Sequence, residues 1–300
     1  MSGICGVIGL DGRQFTTADL AGVREALRPL GQSEGCWEGM AGGCGVAIGA
    51  TVSQWTPEDA FEDQPFWLAD GTLGIVTDMR IDNRPELIAQ LGLTGASNLP
   101  DSAIALAAYA CWGEGFLDRM IGAFALAIVD RRRGGVLLAR DHEGDRPLIV
   151  HECPEVVSFA SNALALAGFE GAGHELDMRW ATEILALAYD TQLTPVPGVR
   201  WLPRATAAWI DARRLREWRW WDPDPHDIDE LDQREHADRL RSSLESVSRM
   251  LREIFEWATT MAARARVFVV HQPETDWTLD PVCSAVEELL ERQPPGRVAV

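Results

Sequence analysis

Apolar positions in this chain switch repeatedly between the period of a strand and that of a helix. Ile4, Cys5, Val7 and Ile8 form a short run that predicts a buried strand, and Asp11-Gly12 after it is a hairpin-turn dipeptide. Leu20, Val23, Ala26, Leu27 and Leu30 then fall at helical spacing and predict a helix over 18–30 that stops near Pro29. A glycine-rich stretch follows, with short strands over 45–48 and 73–77, a helix over 85–91 entered through Asn83 or Arg84, and a helix from Asp101 to Trp112 behind Pro100. Residues 122–130 and 135–139 read as a hairpin across the arginines at 131–133, and 156–160 as another strand. A helix over 178–189 precedes a last strand pair, 198–202 with 206–211. Strands that arrive mostly as hairpins, with helices between the groups, predict layered antiparallel sheets rather than a doubly wound parallel one.

The pattern changes at Asp222-Pro223-Asp224-Pro225-His226-Asp227, where prolines and acids predict a solvated linker over 223–232, with no metal-ligand spacing. Beyond it Leu240, Leu244, Val247, Leu251, Ile254 and Ala258 predict one long amphipathic helix over 233–264, followed by a strand at 267–270 and a helix near 282–292. One strand and one helix cannot bury a core of their own. This mainly helical tail either docks on the first domain or opens a second one.

The chain has 300 residues, 46% of them apolar, enough for one large domain or two ordinary ones. Its formal charge of −19 repels phosphate backbones and anionic membranes, which argues against nucleic acid and membrane partners. All 27 basic residues are arginine, so lysine-dependent phosphate loops and Schiff-base chemistry are excluded. The six cysteines form no CxxC pair and no regular spacing, so neither zinc ribbon nor disulfide framework is indicated, and no metal is expected. The first residues lack a basic leader segment and no run reaches membrane-spanning length, which predicts a cytoplasmic protein.

The candidate chemistry begins at Ser2. A small residue behind the initiator methionine can become the N-terminus, and a hydroxyl there can use its own α-amine as general base. Several segments then fall into one order: Ser2-Gly3-Ile4-Cys5-Gly6 with Asp11-Gly12, Thr77 to Asn83, Pro100-Asp101-Ser102, Ile121 to Asp130, Ala139 to Leu148, Phe159-Ala160-Ser161 and Trp220 to Pro223. Together they resemble the class II glutamine amidotransferase domain of the asparagine synthetase family, whose relatives include β-lactam synthetases and lasso-peptide cyclases. The Arg-Asp-x-x-Gly-x-Arg-Pro-Leu stretch from Arg140 is the most specific piece. The resemblance implies an α+β fold, a four-layer αββα sandwich of two antiparallel sheets of the N-terminal nucleophile hydrolase kind, over residues 1–222. It implies that 233–300 is the truncated start of a synthetase-like domain, with ATP and magnesium belonging to the part not present and no cofactor in this chain.

In the family the residue after Met is the nucleophilic cysteine, and here that slot holds Ser2. Cys5 serves only if Met1 to Ile4 are removed, and strand alternation puts residues 2 and 5 on opposite faces. The family's oxyanion pair Asn-Gly is Asp78-Met79 here, and a carboxylate repels a developing oxyanion. The following Glu is Arg80, the arginine expected after Gly49 is absent, and the family's Arg-Gly-Pro-Asp loop finds no match over Gly31 to Gly35. Asp101, which would pair with the amino group of glutamine, is retained. These substitutions predict a degenerate site without glutaminase activity, in a domain that scaffolds ATP-dependent amide or macrolactam formation by a separate synthetase partner, or acts as a homodimer. The alternatives are an active glutamine-hydrolysing amidotransferase using Ser2, and a truncated, non-functional gene product. After the family's strand, His271 to Asp276 carries two acids and no glycine, so no pyrophosphate loop is expected. Gly31-Gln32-Ser33-Glu34-Gly35 fits the GxSxG pattern of serine hydrolases but lacks the strand before it and the helix after it.

Overall fold

The computed structural model describes residues 2–54, 58–93, 99–169, 171–173, 175–187 and 192–223, with positions 238, 241, 242, 244, 245 and 249. Residues 224–232 of the linker, the strand at 267–270 and the helix at 282–292 lie outside the described residues. Of the long helix over 233–264, only the positions just named are described, and they are helical.

Among the described residues, twelve strands make two six-stranded antiparallel sheets. The first contains β1 (Gly3–Gly9), β2 (Ser33–Ala41), β3 (Cys44–Val52), β8 (Ile149–Glu152), β9 (Val156–Ala160) and β10 (Val199–Trp201), in the order β10-β8-β9-β1-β3-β2. The second contains β4 (Phe66–Trp67), β5 (Leu73–Ile81), β6 (Gly122–Asp130), β7 (Gly135–Arg140), β11 (Thr206–Asp211) and β12 (Arg214–Arg219), in the order β12-β11-β7-β6-β5-β4. The α-helices among the described residues up to 223 are α1 (Ala21–Leu27), α2 (Arg84–Leu91), α3 (Asp101–Trp112) and α4 (Met178–Leu185).

Three apolar clusters account for the layering. Ile4, Ile8, Val46, Ile48, Val76, Val129, Leu138 and Phe159 come from both sheets and fill the space between them. Cys5, Val7 and Ala47 point the other way and pack against Val23 and Leu27 of α1. Ile75, Leu126 and Ile128 pack beneath Ile104, Leu106 and Tyr109 of α3 and Leu87 of α2. Strand alternation thus covers each sheet on both faces, giving an αββα sandwich. Each fully buried aliphatic side chain contributes about 1.5–3 kcal/mol against the entropy of ordering the chain. No described helix is long and apolar enough to cross a membrane.

Two sequence expectations need correction. The runs at 198–202 and 206–211 do not pair with each other: β10 pairs β8 in the first sheet, whereas β11 lies between β7 and β12 in the second. Between them Leu202 N–H donates to Leu148 O and Ala205 N–H to Asp141 O, so the chain crosses from sheet to sheet there. The helix expected over 18–30 is shorter, running over α1 and closing in one 3-10 turn, Arg28–Leu30.

Candidate active site

β1 is central in its sheet, between β9 and β3, and delivers Ser2 to the end of the sandwich. The parity that turns Ile4 and Ile8 into the space between the sheets applies to Ser2 as well, whereas Cys5 faces α1. Burial pushes the Cys5 thiol up to about 12, so it is held as the unreactive thiol. Ser2 is itself nearly covered, at 9% exposure. Its Oγ accepts from Ser53 N–H at 3.0 Å, just past β3. Ser161 secures the same end of β1: its hydroxyl accepts from Ile4 N–H at 2.9 Å and its own N–H donates to Ile4 O.

Facing Ser2 from the second sheet is Asp78 on β5, whose Oδ1 accepts from Ser2 N–H at 2.9 Å. Asp78 is 3% exposed, and its other oxygen has no hydrogen-bond partner. Arg146 Nη1 lies 3.8 Å from Oδ2, too long for a hydrogen bond. Burial raises the pKa of Asp78, and Arg146 and the Ser2 N–H offset that in part.

Arg146 is held there by the loop that follows β7. Asp141, 1% exposed, accepts from five backbone N–H groups: Phe124 and Arg146 on one oxygen, Glu143, Gly144 and Asp145 on the other. Arg140 donates to the carbonyls of Arg146, Gly144 and Leu202. His142 lies edge-on against Trp220 and Trp221, with ring centroids 4.6 and 5.0 Å away, and Trp220 Nε1–H donates to Arg140 O. The most specific sequence motif and the Trp-Trp pair therefore build one loop, whose product at the site is the guanidinium beside Asp78.

The remaining predicted residues divide. Met79 joins the apolar cluster under α3, so its side chain points away from Ser2. Its backbone has another orientation. Gln64 bonds both Thr77 O, from Nε2 at 2.9 Å, and Thr77 N–H, through Oε1 at 2.6 Å, and Ile81 N–H donates to Asp101 Oδ2 at 2.8 Å. Odd-numbered residues of β5 thus direct their peptide groups to the edge away from β6, and Met79 N–H falls between those two contacts. Arg80 forms two bonds to Asp82, at 2.7 and 3.2 Å, and is engaged outside the site. Asp101, where α3 begins, is bound by Ile81 N–H and by Arg84, which also reaches Leu99 O at 2.5 Å. Burial raises the pKa of Asp101. Ser33 of the GxSxG match is exposed at the start of the edge strand β2, opposite Val52, behind the 3-10 turn.

Sequence reasoning did not single out Ser53, Gln64, Glu62 or Arg146 as site residues. Glu62 accepts from the Ser102 hydroxyl, and burial pushes its carboxyl up to about 7. Only Arg146 had a signal, its place in the motif that starts at Arg140. Glu62 and Gln64 come from a connecting loop without periodicity, and Ser53 contributes a backbone group that any residue supplies.

The arrangement places a hydroxyl, the nitrogen of the same residue and a buried carboxylate within hydrogen-bonding reach, at the end of an αββα sandwich. The fold is also that of solved enzymes. Glutamine phosphoribosylpyrophosphate amidotransferase of B. subtilis, complexed with ADP and GMP, matches at a TM-score of 0.50 and 16% identity, covering 73% of this chain and 49% of that one. A structure described as the allosteric regulatory enzyme of purine biosynthesis matches at 0.51 and 15% identity, with the same coverage. In sequence, asparagine synthetase (glutamine-hydrolyzing) 2 of Bacillus subtilis strain 168 is 34% identical over 103 residues, which are 34% of this chain and 14% of that enzyme. The chain spans under half the length of each of these relatives. Residues 1–221 match the family described as the glutamine amidotransferase domain, and the chain therefore belongs to that family.

Proposed function

We propose that this amidotransferase domain does not hydrolyse glutamine and acts instead as a scaffold for a synthetase partner that forms an amide or macrolactam with ATP. The observation that carries this reading is the Asp78 carboxylate 2.9 Å from the Ser2 nitrogen. Once Met1 is removed, Ser2 would need its α-amine neutral to take the hydroxyl proton, and a carboxylate at that distance would favour the ammonium form. The same carboxylate occupies the slot of the family's oxyanion donor, and losing one such donor costs about a hundred- to a thousandfold in rate. ATP activation, in this reading, belongs to the partner, and the ring-forming relatives resembled in sequence fit it better than asparagine synthesis.

The opposing reading, an active amidotransferase using Ser2 on glutamine, has one feature in its favour: the Met79 N–H directed to the edge of β5 away from β6, a backbone donor of the kind an oxyanion hole uses. A glutaminase assay on the purified chain separates the two. Glutamate release equal in wild type and Ser2→Ala supports the scaffold; release abolished by Ser2→Ala overturns it.

A further inference from the structure

On the opposite face of the first sheet from the Ser2 site, a second nucleophile stands beside a base. His151 on β8 and Cys153, which begins the turn into β9, share the face that packs against Phe169 and Ala172. Cys153 Sγ lies 3.3 Å from His151 Nε2. The other ring nitrogen, Nδ1, lies 2.7 Å from Gly198 O. A carbonyl oxygen only accepts, so Nδ1 carries the proton and Nε2 presents its lone pair to the thiol. The geometry is that of an activated nucleophile: a thiol within reach of a base, and the base oriented by a third group.

The enclosure is specific to this pair. The backbone of Gly171 lies directly on it: a Cβ there would stand 2.6 Å from Cys153 Sγ and 3.3 Å from His151 Nε2, and Gly171 adopts a φ of +87°. The loop thus covers one side of the thiol. His151 is buried at 4% exposure, whereas Cys153 is half-buried and reachable from solvent. No step of the proposed scaffold role uses either side chain.

We propose that Cys153 and His151 form a nucleophile–base pair that undergoes thiol–disulfide exchange with low-molecular-weight disulfides. The Cys153 proton passes to His151 Nε2. The sulfur attacks one sulfur of the incoming disulfide, the incoming S–S bond breaks, and a new S–S bond forms to Cys153. The departing thiolate leaves with the electron pair of the broken bond and takes up the proton from the imidazolium or from water. One disulfide is exchanged for another, so no further oxidant is needed.

The test is the reaction of the full chain with the aromatic disulfide DTNB, read site by site by peptide mass. Cys36 and Cys111, both exposed, are internal references. The expected result is that Cys153 reacts at least about tenfold faster than either reference, despite its lower exposure, because a base stands within reach of its thiol. His151→Asn is expected to remove that advantage and leave Cys36 and Cys111 unchanged. Cys153 reacting no faster than the references in the wild-type chain overturns the proposal, and this arm needs no variant to fold. A Cys153 rate untouched by His151→Asn also overturns it.

Discussion

The nitrogen of Ser2 and the Oδ1 of Asp78 are 2.9 Å apart, one from each sheet of the sandwich. The contact ties the first residue of β1's approach to the middle of β5 and sets the chemistry of both. For Ser2, the group that would serve as its base is claimed by a carboxylate. For Asp78, one oxygen is satisfied and the other is left to a guanidinium 3.8 Å away.

The first prediction concerns which substitution controls hydrolysis. Because Met79 turns its side chain to the outer layer, Met79→Gly changes little at Ser2, whereas Asp78→Asn removes a charge and supplies an amide donor. In a Ser2→Cys background, Asp78→Asn is expected to raise glutamate release by about a hundredfold, with Met79→Gly alone giving no gain. Equal gains from the two changes would show that the oxyanion slot is not governed by the carboxylate.

The α-amine can be read directly, because the sequence contains no lysine and the chain terminus is its only amine. In the chain processed to Ser2, the charge of Asp78 favours the ammonium form, so the amine is expected to keep its proton to higher pH than it does in Asp78→Asn. A raised amine pKa contributes stability that is complete below the unfolded value and lost as pH rises through the folded one. The rate of acylation by acetic anhydride, followed against pH, is expected to have a higher midpoint in wild type than in Asp78→Asn. Identical midpoints would mean that the ion pair does not form.

Glu62 gives a pH dependence of opposite origin. Burial pushes its carboxyl up to about 7, against about 4.3 in an unfolded chain. Between those values the folded state binds more protons than the unfolded state, so stability falls as pH rises from about 4.3 to 7 and then levels. Thermal unfolding across that window should show a loss on the order of 1–3 kcal/mol that Glu62→Gln flattens. A slope unchanged in the variant assigns the effect to other groups.

Much of the sandwich was legible because its buried strands are long and its helices well punctuated: β6 and β7 flank an arginine turn, and α3 begins right after Pro100. The strand β2 was hidden by its glycines. Gly35 lies so close to the next loop that a Cβ would stand 1.9 Å from Gln64 O, so a close approach erased the side-chain alternation that marks a strand. The false pairing of 198–202 with 206–211 has a different cause. The two runs have hairpin spacing, and only the long-range bonds of Leu202 and Ala205 to the segment 141–148 send them to separate sheets. In the site, Ser2 and Asp78 were visible as slots in an ordered set of motifs. Their mutual contact joins residues 76 positions apart and was not.

The loop motif makes a stability prediction. Asp141 is buried and accepts five backbone N–H bonds, and Asp141→Ala leaves those donors without their shared acceptor. Each charge-assisted bond contributes about 1.5–3 kcal/mol and they do not add fully, so a loss of about 3–5 kcal/mol is expected in denaturant unfolding. A loss below about 1 kcal/mol would contradict the view that this carboxylate organises the loop.

The last prediction tests whether that loop exists, in part, to neutralise Asp78. Asp78 Oδ2 is buried without a hydrogen-bond partner and lies 3.8 Å from Arg146 Nη1, so the pairing of the two side chains is electrostatic and not a formed bond. Removing Arg146 alone strands a buried carboxylate, which costs more than the pair itself contributes. Arg146→Met should therefore destabilise the domain by about 2–4 kcal/mol, and Asp78→Asn by less, because the neutral amide still faces the Ser2 nitrogen and no longer requires a cation. In the double variant the cost of losing Arg146 should shrink, giving a coupling of about 1–2 kcal/mol between the two positions in a double-mutant cycle. Additive effects would mean that Arg146 acts through the packing of its loop and that Asp78 is sustained at this buried position by Ser2 alone.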